Sequence, residues 1–67
     1  MEGGMWRFLT SVAAVPTGVP VHLAVIDKDG VHALIFPCFR VEDSWVDAET
    51  NTEVDVEPTH WREWTKQ

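Results

Sequence analysis

Val21-His22-Leu23-Ala24-Val25-Ile26-Asp27-Lys28-Asp29-Gly30-Val31-His32-Ala33-Leu34-Ile35-Phe36 decides the fold of this chain. Two apolar runs flank a turn of aspartates and glycine, the pattern of a β-hairpin. Val21, Leu23 and Val25 share one face of the first run, and His22, Ala24 and Ile26 share the other, because side chains alternate along a strand. Two turns compete at Asp27-Lys28-Asp29-Gly30. A two-residue turn at Asp29-Gly30, with positive φ, sets Leu34, Phe36 and Cys38 beside Val21, Leu23 and Val25. A type I turn starting at Asp27, with Gly30 as a left-handed bulge residue, sets Ala33 and Ile35 there instead. A one-residue slip exchanges the faces, and the first register is preferred because it gathers the larger side chains. Ala24, Ile26, Ala33 and Ile35 leave the second face apolar as well. The hairpin is therefore expected to lie centrally in its sheet and to need cover on both sides, from the tryptophan segments or from a second copy of the chain.

Outward from the hairpin the signals are shorter. In residues 6–15, Trp6, Leu9 and Ala13 would share a helical stripe, whereas Trp6, Phe8, Thr10 and Val12 would share a strand face. The β-branched residues and the missing cap favour extended structure. Pro16-Thr17-Gly18-Val19-Pro20 is a turn. A second hairpin joins residues 44–47 to residues 52–57 around Thr50-Asn51, with Trp45 opposite Val56 and Asp47 opposite Val54. Glu53, Asp55 and Glu57 then lie on the solvent side. Residues 59–64 form either a last extended segment or a helical turn carrying Trp61 and Trp64. The fold class expected is mainly β, a small antiparallel sheet of three to five strands built from two hairpins, with at most a short helical turn at either end. One domain at 6–64 follows, between a disordered leader at 1–5 and a frayed tail at 65–67.

Composition narrows the function classes. A chain of 67 residues buries a small core, and with Cys38 as its one cysteine it has no internal disulfide. Four tryptophans and three phenylalanines make tight aromatic packing the expected source of stability. The net charge of -6 and scattered Arg7, Lys28, Arg40, Arg62 and Lys66 argue against nucleic acid or an anionic membrane as partner. Residues 8–15 are apolar but short and lack a basic flank, so a secretory signal is not expected. A cytoplasmic location is the default, which also suits a lone thiol.

Trp6, Pro16, Gly18, Val21, Leu23, Asp29, Gly30, Phe36, Trp45, Asp47 and the closing Thr59-His60-Trp61 form an ordered series of landmarks over most of the chain. In this series the chain resembles the small phage- and prophage-associated family called domain of unknown function 551. The interval from Trp6 to Pro16 is longer than in typical members, and Arg62-Glu63-Trp64 stands where a proline-rich tail usually follows. The resemblance implies a compact β-rich domain of bacterial or phage origin and, since that family has no established activity, no particular chemistry.

The residues themselves name no catalytic, metal or cofactor set. His22, His32, His60 and Cys38 lack zinc-site spacing. Asp27-Lys28-Asp29-Gly30 begins like a calcium loop but has Val31 and Ala33 where ligands are needed. Ser11 and Ser44 lack a nucleophile context, and Cys38 sits between Pro37 and Phe39 like a buried small hydrophobe. The acidic run Glu42, Asp43, Asp47, Glu49, Glu53, Asp55 and Glu57 contains no basic residue; it is either a solubilising face or a docking face for a basic protein. Trp45 and Trp61 are assigned to the core. The reading is a non-enzymatic interaction or accessory module, partnered by an unidentified protein or a second copy, with Trp6, Trp64, Ile26, Ile35, Glu53, Asp55 and Glu57 as candidate contact residues. The alternatives are an acidic protein masking a basic partner and a minimal enzyme using Cys38 or a histidine.

Overall fold

The computed structural model describes residues 5–65; apart from Met5 and Thr65, the expected leader and tail lie outside them. β-Branched and aromatic residues suit a half-buried pleated surface, and here they build seven short strands: β1 (Arg7–Phe8), β2 (Val21–Asp27), β3 (Gly30–Ala33), β4 (Cys38–Val41), β5 (Ser44–Asp47), β6 (Glu53–Val54) and β7 (His60–Glu63). All pair antiparallel, in the order β1-β7-β2-β4-β5-β6, with β3 also on β2. The class is mainly β, as the alternation predicts. The strand count exceeds the expected three to five because β1 and β6 are only two residues each and because β4 carries no clear alternation. Residues 6–15 are extended at β1 and then turn through one 3₁₀ segment, Val12–Ala14. β7 is extended, so Trp61 and Trp64 face opposite sides of the sheet instead of sharing a helical stripe. No helix among the described residues is long and apolar enough to cross a membrane.

β2 is central, with both edges occupied. β7 runs along one edge, from Val21↔Glu63 to Ala24↔His60. The other edge is shared: Ala24↔Ala33 to Asp27↔Gly30 near the tip, then Val21↔Cys38 at the base. The turn residues are Lys28 and Asp29, and the positive φ of 123° belongs to Gly30. The Asp29-Gly30 turn is thus corrected. An Asp27 carboxylate oxygen accepts the Asp29 N–H at 2.8 Å, and this side-chain turn closes the chain one residue earlier. Pairing at the tip is displaced by two residues from the preferred register and returns to it at Val21↔Cys38, the bend at residues 34–37 absorbing the difference. A displacement of two leaves every side chain on its original face. Leu34, Phe36 and Cys38 accordingly pack with Val21 and Leu23, and the register placing Ala33 and Ile35 there does not occur.

The second hairpin is corrected in the same way. Trp45 lies opposite Val54, not Val56, and Val46 opposite Glu53. Its loop is residues 48–51, because the Asp47 carboxylate accepts the N–H groups of Glu49 (2.7 Å) and Thr50 (3.3 Å). Asn51 closes the loop, donating its N–H to the Asp47 carbonyl at 2.7 Å with a left-handed φ of 63° that asparagine tolerates.

One face of the sheet is covered by the chain itself. Val15, Val21, Leu23, Cys38, Trp45 and Trp61 form the core, with Leu9, Val12, Leu34, Phe36, Val54 and Val56 packed against it. Both tryptophans assigned to the core are there, at 4% and 7% exposure. Arg40 pins the covering segment, donating from Nη1 to the Val15 carbonyl (3.0 Å) and from Nε to the Glu42 carbonyl (2.8 Å).

Two substitutions should move stability in opposite directions. Glu42, first residue of the β4–β5 turn, has φ 56°, a conformation costing a non-glycine residue about 1–2 kcal/mol. Glu42→Gly should therefore raise the Tm by several degrees in a thermal melt followed by tryptophan fluorescence. The Thr59 hydroxyl accepts the Ile26 N–H at 2.9 Å, so Thr59→Val should cost about 1–2 kcal/mol in the same melt.

Candidate interaction surface

The second face of the sheet is built by residues that alternate with the core. Cross-strand pairing sets Phe8, His60, Ala24 and Ala33 in one row across β1, β7, β2 and β3, with Ile26 opposite Val31 in the next row toward the hairpin tip. Ala24 is buried by its neighbours and Ile26 is half-buried, but Phe8 is 75% and Val31 55% exposed. Ile35, at 91% exposure, stands in the bend after β3 and not on the strand face.

The base of this face has its own cover. The Arg62 guanidinium lies 4.1 Å from the Trp6 ring centroid, a cation–π contact. The His22 ring sits between two indoles, with centroids 4.8 Å from Trp6 and 4.9 Å from Trp64. His22 Nε2–H donates to the Leu34 carbonyl at 2.8 Å, while Nδ1 accepts from Arg62 Nε–H at 3.4 Å. These contacts join four elements of the chain over the lower end of β2. Trp6 and Trp64, singled out as contact candidates, are thus half-buried and packed on one another's neighbours. Among the described residues, the tip end of the face has no such lid.

β3 adds an open edge. The Leu34 N–H donates to the Leu23 carbonyl at 3.0 Å, and antiparallel bonding alternates along a strand, so residues 30, 32 and 34 face β2. The N–H and C=O groups of Val31 and Ala33 point away from it, and among the described residues no strand lies beyond. All four residues of β3 are exposed. This is the longest strand edge left open among the described residues.

The remaining candidates separate. Glu53, Asp55 and Glu57 are exposed, along or after β6 at the far end of the sheet from β1. His32 is 3.4 Å from Asp27 at the hairpin tip, away from His22 at the base, and no group of three metal-ligating side chains converges among the described residues. Cys38 is fully buried in the core, on the sheet face opposite His60. Burial, aided by the Asp47 charge, pushes its thiol up to about 11, so it is protonated at neutral pH and a poor nucleophile. The Trp6–His22–Arg62–Trp64 cluster is not legible in the sequence because its contacts join residues far apart in the chain, such as His22 and Arg62 or Trp6 and Arg62, that no local period links.

His22 is held below its ordinary value of 6.5, chiefly by burial, with the Arg62 charge adding and the Leu34 carbonyl opposing. The unfolded chain therefore binds the proton more readily. His22's share of stability is full above about pH 6.5 and falls as the pH drops from there toward the depressed folded value. Chemical denaturation from pH 7.5 to 5.5 should show a loss that His22→Gln reduces. No family model, curated protein or solved structure matches this chain.

Proposed function

We propose that this protein is an interaction module that takes up an extended polypeptide segment along β3. The observation carrying the proposal is the open edge at Val31 and Ala33, flanked by the exposed apolar side chains of Val31 and Ile35. Strand addition draws its affinity from main-chain hydrogen bonds and its selectivity from alternate side-chain contacts, and this corner offers both. The resemblance to the phage-associated family extends the reading to a bacterial or prophage accessory protein.

The neutral peptide Ac-Ser-Val-Thr-Val-Thr-Ser-NH2 should slow hydrogen exchange and shift the NMR signals at the Val31 and Ala33 amides. Val31→Pro removes an N–H that β2 does not use, and proline is compatible with an edge position. That variant should keep its near-ultraviolet tryptophan spectrum and lose the peptide effect. Shifts confined to another surface, or an effect unchanged in Val31→Pro, would overturn strand addition at β3.

A further inference from the structure

Resting on that reading, we infer that the segment received by β3 is cationic, with an apolar, strand-forming centre flanked by lysine or arginine. The charge layout around the edge carries this. β3 and β4 occupy the same edge of β2, so the open side of β3 looks toward the part of the sheet that continues through β4, β5 and β6. That part holds seven carboxylates within residues 42–57, and its one basic side chain, Arg40 of β4, is turned to the Val15 and Glu42 carbonyls. The edge is also bracketed by acid along its length. Asp27 and Asp29 stand at the hairpin tip, with Lys28 only 3.7 Å from Asp29. At the other end, the Ala48 N–H donates to the Pro37 carbonyl at 2.9 Å, which holds the 48–51 loop and its exposed Glu49 beside the bend that follows β3.

A strand added there would run between acid groups at both ends while its middle met Val31 and Ala33. Flanking cations on the segment would meet opposite charge, and flanking anions would be repelled. A second copy of this chain fits the layout less well, since each copy carries a net charge of -6 and would bring its own Asp27, Asp29 and Glu49 to the same edge. The exposed apolar side chains supply the contact, and the acid field selects the occupant and speeds its approach.

Three labelled peptides with one centre separate the elements of the proposal: Lys-Lys-Val-Thr-Val-Thr-Lys-Lys, its Ser-flanked form and its Glu-flanked form, compared by fluorescence anisotropy. The lysine peptide should bind about tenfold tighter than the serine peptide, with the advantage shrinking as salt is added, and the glutamate peptide should bind weakest. Val31→Pro, or Ala33→Pro should the first variant fail to fold, should abolish lysine-peptide binding. Equal binding of all three peptides would overturn the cationic occupant and leave strand addition standing. Lysine-peptide binding that survives both proline variants would overturn the assignment to β3. Binding of none, with the Val31 and Ala33 amides protected only as protein concentration rises, would identify a second copy as the occupant and overturn the proposal. Binding of none without that concentration dependence would overturn the proposal and the strand-addition reading together.

Discussion

The architecture hangs on a competition for one edge of β2. That strand is seven residues long, and its edge on the hairpin side is claimed by β3 near the tip and by β4 at the base. Both claims are met because the chain bends between them at residues 34–37. The bend sends Leu34 and Phe36 into the core and exposes Ile35. It also steps the return chain by two residues, which keeps the inward and outward faces intact. Once β4 is placed, the meander through β5 and β6 follows by short turns, the natural course for antiparallel neighbours.

The core that results is small, and polar anchors extend it. Arg40 faces the core side of β4 yet finds two carbonyl acceptors, at Val15 and Glu42, so it ties the end of the 3₁₀ segment to the β4–β5 turn. Thr59 works similarly at the other edge of β2. Its backbone N–H donates to the Ala24 carbonyl at 2.9 Å while its hydroxyl accepts from Ile26, extending the ladder beyond the end of β7. A chain this short has few apolar side chains to spend on cohesion, and each such bond satisfies a backbone group that would otherwise need water.

What could be read in advance divides along physical lines. The apolar alternation of residues 21–26 located the central strand, its two faces and the inward set of Leu34, Phe36 and Cys38, because alternation is a local property of strands. Trp45 and Trp61 were legible as core from bulk alone. The turns were less so: carboxylates of Asp27 and Asp47 reach neighbouring amides and decide where the chain reverses, an outcome composition does not dictate. β4 was hidden by Arg40, a charged residue at an inward position whose acceptor lies 25 residues away. At the surface, the acidic run was plain to see, but its position on the same side as the open β3 edge depended on the shared edge of β2. Trp6 and Trp64 illustrate the limit most clearly, since nothing near either one signals that both rest on His22.

That meeting on His22 also gives the molecule two poles. Trp6 and Trp64 bring the beginning and the end of the described chain together at the base of β2, whereas the open edge lies toward the hairpin tip. The two ends of the described chain thus lie at one pole of the sheet, and closing that chain into a ring would join them there and leave the edge of β3 open.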